Sequence, residues 1–158
     1  MKEVPILKKI SEFKDNSLLI VDDDNPFRER LSRAMEKKGF NVSQAESVKL
    51  GIESVKVKKP AFAVVDLRLN DGNGLEVVKE IQTNNPSSRI IMLTGYGNIP
   101  TAVAAIKEGA IDYLAKPADA DDVEKALLAD PNTKAPPPEN PMSADRVKWE
   151  HIHRVFEL

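Results

Sequence analysis

Three consecutive carboxylates, Asp22, Asp23 and Asp24, follow the apolar run Leu18-Leu19-Ile20-Val21. Two like charges about 4 Å apart repel by about 4 kcal/mol at an effective dielectric of 20. Such a cluster raises its own pKa values or recruits a cation. All-oxygen ligation suits Mg²⁺, which keeps several waters and takes one or two carboxylates. Helix capping is the competing explanation, because Asn25-Pro26 has the form of a cap followed by proline at the first helical position. Capping accounts for Asn25 and extends to Asp24. It leaves Asp22 and Asp23 unexplained.

The same pattern recurs downstream. Asp66 closes the run Ala61-Phe62-Ala63-Val64-Val65, Thr94 closes Arg89-Ile90-Ile91-Met92-Leu93, and Lys116 follows Ile111 to Ala115. Carboxylates, a hydroxyl and an ammonium are the groups that phosphoryl chemistry uses. A carboxylate fixed beside Mg²⁺ can attack a phosphoryl group. The metal and a lysine neutralise charge on the transferring oxygens, and a hydroxyl can hydrogen-bond the product. Asp66 is the best nucleophile, because Asp22 and Asp23 are better placed to hold the metal from the neighbouring strand.

These residues meet only if the elements place them together. The apolar runs read as strands buried on both faces. Between them lie helical stripes: Phe27, Leu31, Ala34 and Met35, closed by Gly39; Leu50, Ile52, Val55 and Val57, ending before Pro60; Leu75, Val77, Val78 and Ile81; Thr101 to Glu108, closed by Gly109; and Val123, Ala126, Leu127 and Leu128, capped by Asp119. Phe40 to Gln44 is a further short strand, and the glycines of Asn70-Asp71-Gly72-Asn73-Gly74 make a tight loop. Five βα units imply a parallel sheet with helices on both faces. The flavodoxin-like order 2-1-3-4-5 fits this (βα)5 pattern, and it gathers the strand ends in one crevice.

Composition narrows the alternatives. The 158-residue chain is 41% hydrophobic, carries a net charge of −2 and has no cysteine. The charge does not mark a nucleic-acid or anionic-membrane binder. The missing thiols exclude disulfides, thiolate metal sites and cysteine nucleophiles. No apolar stretch approaches a membrane span or a signal-peptide core, so a cytoplasmic location is expected. Residues 1–17 are a mixed, polar lead, expected to be frayed or loosely docked. Residues 18–130 form the domain. Residues 131–142 are a semi-rigid spacer, since 131–141 hold five of the eleven prolines. Residues 143–158 read as one helix capped by Ser143, with Trp149, Ile152, Val155 and Phe156 on its apolar side. His151 and His153, two apart, do not share a face.

In order and spacing, Val21-Asp22-Asp23, Val65-Asp66-Leu67, Leu93-Thr94-Gly95 and Tyr113-Leu114-Ala115-Lys116-Pro117 make the chain resemble the receiver domain of two-component response regulators. The resemblance implies phosphorylation of Asp66 by a sensor histidine kinase. It implies Mg²⁺ held by Asp23, Asp66 and the backbone carbonyl of Arg68, with Asp22 acting through water. It also implies a switch pair of Thr94 and Tyr113, phosphoryl contact by Lys116, and a cis peptide bond at Pro117. Thr94-Gly95-Tyr96-Gly97, Lys116-Pro117-Ala118-Asp119-Ala120 and residues 136–146 resemble more narrowly the RegA/PrrA/ActR redox regulators. Those carry a Fis-like helix-turn-helix after the proline linker, and here the sequence stops where that domain starts. DNA binding is therefore expected only through a domain absent from this chain, and a homodimer is allowed.

Two other functions are weighed against a redox transcription regulator. One is a stand-alone receiver acting as a phosphate sink or interaction switch. The other is a haloacid-dehalogenase-type phosphatase. That family needs Asp-x-Asp-x-Thr, and Asp22-Asp23-Asp24-Asn25-Pro26 lacks the threonine. Direct DNA binding is disfavoured, because residues 131–158 hold four basic and four acidic side chains and one helix.

Overall fold

The computed structural model describes residues 9–95, 99–116 and 118–129, without the side chains of 99, 101, 102 and 105. The proline spacer, the helix at 143–158, Tyr96 and the peptide bond at Pro117 lie outside the described residues. Twelve elements follow in order: β1 (Ser17–Val21), α1 (Asn25–Lys37), β2 (Asn41–Ala45), α2 (Val48–Val57), β3 (Phe62–Asp66), β4 (Arg68–Leu69), β5 (Gly72–Asn73), α3 (Leu75–Asn84), β6 (Arg89–Thr94), α4 (Ile99–Lys107), β7 (Asp112–Ala115) and α5 (Ala120–Leu128).

The five main strands form one parallel sheet in the order β2-β1-β3-β6-β7, which is the expected flavodoxin-like arrangement. β4 and β5 pair antiparallel as a separate two-residue hairpin where the tight loop was expected. Side chains alternate across the sheet. Leu19, Val21, Ala63, Val65, Ile90, Met92 and Tyr113 face the layer of α2, α3 and α4. Leu18, Ile20, Phe62, Val64, Ile91 and Leu93 face α1 and α5. Both faces are covered, so β1, β3 and nearly all of β6 are buried along their length. This is why they read as unbroken apolar runs rather than alternating ones.

Helix ends follow local chemistry. Gly39 adopts φ +107 after α1, a left-handed conformation that L side chains rarely adopt. The N-cap of α1 is Asp24, whose Oδ1 accepts from Phe27 N at 3.2 Å; Asn25 and Pro26 are the first two helical residues. The cap thus lies one residue earlier than expected. Asp119 caps α5 as expected, accepting from Asp122 N at 2.8 Å. α2 has two carboxyl- or hydroxyl-bearing supports, only one of them local. Ser47 Oγ accepts from Leu50 N, while Asp71 in the β4–β5 turn accepts from Val48 N and Lys49 N at 2.8 and 3.1 Å.

The described part of the lead, from residue 9, is better docked than its polarity suggests. Residues Ile10–Glu12 form a 3-10 turn. Ile10 and Phe13 pack against the α1/α5 core. The Phe13 ring meets Phe62 edge to face at 5.1 Å, and the Arg89 guanidinium lies 5.1 Å from the Phe13 centroid. Arg89 also donates to the carbonyls of Leu127 and Ala129 at 3.2 and 2.6 Å. Two apolar side chains in a polar segment suffice, because the sheet floor offers a hydrophobic seat that only the fold creates. Phe13→Ala should destabilise the domain by about 2 kcal/mol, below the range for fully buried phenylalanine. Urea unfolding checks it; an unchanged midpoint would mean that the lead contributes nothing.

Candidate functional site

The carboxyl edge of the sheet is built by backbone ladder bonds that run past the strand ends. Asp22 N donates to Ala45 O at 3.1 Å, Leu67 N to Leu93 O at 2.8 Å, and Lys116 N to Thr94 O at 2.9 Å. These bonds hold the residues after β1, β3 and β7 as firmly as the strands themselves. Gly74, at the start of α3, completes the floor. A Cβ there would overlap the Asp66 carbonyl oxygen, so only glycine lets α3 approach β3 this closely.

Asp22, Asp23 and Asp66 converge, with one carboxylate oxygen from each within 4.8 Å of the others. Asp22 is fully buried, Asp66 is 6% exposed and Asp23 is half-buried. Lys116 Nζ sits between two of them, 3.1 Å from Asp22 Oδ2 and 3.4 Å from Asp66 Oδ2. Asp22 is the better satisfied of the two, since its Oδ1 also accepts from Asp24 N at 2.8 Å. Asp66 has two longer contacts, the lysine and Arg68 N, both at 3.4 Å. Among the described residues no hydrogen bond engages the Asp23 carboxylate. Asp22 is thus committed to the protein, whereas Asp23 and Asp66 keep oxygens for a ligand.

The electrostatics follow from this. Burial pushes the Asp66 carboxyl up to about 6, and the Asp22 charge adds to the rise; Lys116 and Arg68 N only partly offset it. For Lys116, burial would favour the neutral amine. The Asp66 charge and the Asp22 hydrogen bond outweigh that and leave its pKa above the usual lysine value. Three carboxylates against one ammonium leave a negative excess in a confined crevice. The donor set is all oxygen, and its spread is close to the about 4–5 Å between opposed oxygens on Mg²⁺ or Ca²⁺. The residues therefore fit a hard divalent cation.

Thr94 and Tyr113 stand further back. Thr94 is 2% exposed, and its hydroxyl donates to Gly95 O at 2.7 Å rather than toward Asp66. Tyr113 is buried in the core cluster that includes Val103 of α4. By strand alternation both lie on the α4 side of the sheet.

Two contributors are not evident from composition or spacing. Arg28, 7% exposed, donates from its guanidinium to Asp22 O at 2.7 Å and to Gln44 Oε1 at 2.8 Å, tying α1 to the end of β1. Its only signal is a lone arginine in the buried phase of α1. Phe27, which the helical stripe marks as core, lies with its ring centroid 4.9 Å from Lys116 Nζ.

Sheet order and crevice define the class, a flavodoxin-like α/β domain with its ligand site at the carboxyl edge. Comparison with known proteins gives the family. The response regulator receiver domain profile matches residues 18–128. Photosynthetic apparatus regulatory protein RegA of Rhodobacter capsulatus is 62% identical over 144 residues, covering 91% of this chain and 78% of its own. Acid tolerance regulatory protein ActR of Rhizobium meliloti is 60% identical, covering 91% and 74%. A crystal structure of a response regulator protein from Burkholderia pseudomallei, with a phosphorylated aspartic acid, calcium ion and citrate, superposes with TM-score 0.70 at 33% identity, covering 90% of this chain and 85% of its own. The chain belongs to the response regulator receiver family. Its members are phosphoacceptor switches rather than classical enzymes, and they bind Mg²⁺ at an acidic pocket, here the Asp22, Asp23 and Asp66 cluster. No described helix is long and apolar enough to cross a membrane.

The raised Asp66 pKa makes stability depend on pH. A carboxyl whose pKa rises on folding binds more protons when folded, so metal-free stability falls as pH climbs from about 4 through about 6. The loss should be on the order of 2 kcal/mol, less than full conversion of the shift because the crevice is open to solvent. Asp66→Asn should remove most of that slope and raise the metal-free melting temperature at pH 7. Mg²⁺ should recover stability in the wild type more than in the variant. Thermal melts at pH 4 to 8 in chelator check both, and parallel curves for the two proteins would rule the assignment out.

Proposed function

We propose that Asp66 accepts a phosphoryl group from a phosphohistidine of a sensor histidine kinase, and that the resulting conformational switch controls transcription. The observation that carries this is the asymmetry of the two carboxylates on Lys116. Asp22 is held by two good hydrogen bonds, and Asp66 by two long ones. The less committed oxygen is the available nucleophile. An Asp66 oxygen attacks phosphorus, the P–O bond forms and the P–N bond breaks. The imidazole nitrogen keeps the electron pair and takes up a proton.

Asp23, Asp66 and the backbone carbonyl of Arg68 would hold Mg²⁺ directly, with Asp22 acting through water. When bound, Mg²⁺ neutralises charge on the transferring oxygens. Lys116 places its ammonium against the same oxygens and holds Asp22 in line. The Thr94 hydroxyl exchanges its bond to Gly95 O for one to the phosphoryl group. That draws the end of β6 inward and repacks Tyr113 against α4. Two packings must differ in their affinity for phosphate for this to act as a switch. The readout at genes of redox or energy metabolism is supported by the 60–62% identity to RegA and ActR.

Incubation with a small-molecule phosphodonor and Mg²⁺ should add the mass of one phosphoryl group to the intact chain. Asp66→Asn should add none; an equal gain in that variant would falsify the assignment. Thr94→Ala should still be phosphorylated yet respond weakly. NMR shifts over α4, β7 and α5 on adding a phosphate mimic should shrink at least severalfold in Thr94→Ala, and equal shifts would exclude Thr94 as the transmitter.

A further inference from the structure

We infer that Phe27 is a positioning residue for phosphoryl transfer, its ring serving as a fixed seat for the Lys116 ammonium. This rests on the reading of Asp66 as phosphoacceptor and adds a residue to it. Among the described residues, Lys116 Nζ meets Asp22 Oδ2 at 3.1 Å, Asp66 Oδ2 at 3.4 Å, and the face of Phe27 with its centroid at 4.9 Å. A lysine is a compact charge on a flexible four-carbon stem, so its position is set by what surrounds its head. The two carboxylates are changeable partners. Asp66 alters its charge and its neighbours when it takes a metal or a phosphoryl group, and Asp22 then shares its field with the cation. The ring quadrupole is the same in every state.

The ring itself cannot drift. Phe27 is 8% exposed, packed in the α1/α5 core, and its backbone N–H is bound by Asp24 Oδ1 at 3.2 Å. The third carboxylate of the acidic run therefore acts on the site indirectly. It caps α1, the cap places Phe27, and Phe27 places the lysine between Asp22 and Asp66. Arg30 also faces this ring, with Cζ 5.9 Å from the centroid. It is the more distant cation, and its removal should leave the lysine seat in place.

The test uses the full chain with a small-molecule phosphodonor at saturating Mg²⁺. Phe27→Leu should slow phosphoryl uptake about fivefold, within the range set by a partly desolvated cation–π contact. Phe27→Tyr, which keeps the π face, should restore most of the rate. Replacement of residue 27 by mono- and trifluorinated phenylalanine changes ring charge with little change in size, and the rate should fall in step with fluorination. In a Lys116→Met background, Phe27→Leu should cause no further loss. A full additional loss there, or a rate independent of fluorination, would reduce Phe27 to core packing and overturn the inference. A second readout does not depend on phosphorylation: the Lys116 side-chain NMR signals should be ring-shifted in the wild type and lose that shift in Phe27→Leu. If no variant accepts phosphate, the reading of Asp66 fails, and the ring-shifted signal still decides whether the seat exists.

Discussion

The domain depends on an unbalanced charge. Three carboxylates gather at the end of a buried sheet, with one lysine ammonium bound to two of them, and the protein holds them there against their mutual repulsion. Desolvation and like charge together would normally protonate or disperse such a group. Here the backbone does not allow dispersal. Asp22 is fixed by its own ladder bond and by the turn to Asp24, and Asp66 is the last residue of a strand paired on both sides. The negative excess is thereby stored in the crevice, where a divalent cation or a change of covalent state can relieve it.

Everything beneath the crevice serves to keep those strand ends still. The core has two sides, and each strand contributes to both. A displacement of one strand end therefore disturbs helices on opposite faces. α1 is joined to the crevice twice, through Arg28 on the Asp22 carbonyl and through Phe27 beside Lys116. α3 is joined by the close approach of Gly74 to the Asp66 backbone, and α2 by Asp71 reaching over from the loop that follows β3. A change at Asp66 has direct mechanical access to three helices as well as to the Thr94 and Tyr113 side of the sheet.

Sequence legibility followed the range of the interaction. Unbroken apolar runs are a local signal, and β1, β3 and β6 were readable from them, as was the gathering of the strand ends that carry Asp22, Asp23, Asp66, Thr94 and Lys116 on one edge. Helix stops at Gly39 and Gly109 were readable because positive φ is a property of the residue itself. The α1 cap was misplaced by one residue because Asp24 and Asn25 have equal capping chemistry; only the turn that Asp22 makes with Asp24 N selects between them. Asp71 on α2, Arg28 on Gln44 and Phe27 on Lys116 were not readable. Their partners lie 16 to 89 positions away, and no periodicity carries that information. The lead at Ile10 and Phe13 was undervalued for the same reason.

Arg89 opens β6 at the edge of the sheet opposite the crevice, and there it binds the last carbonyls of α5 while lying against Phe13. Phe13 before β1 and Ala129 after α5 therefore lie on one side of the domain, and the carboxylates of the crevice lie on the other, about 17 Å away along a six-residue strand. The C-terminal end of α5 is thus anchored to the base of β6, at a distance from the chemical centre.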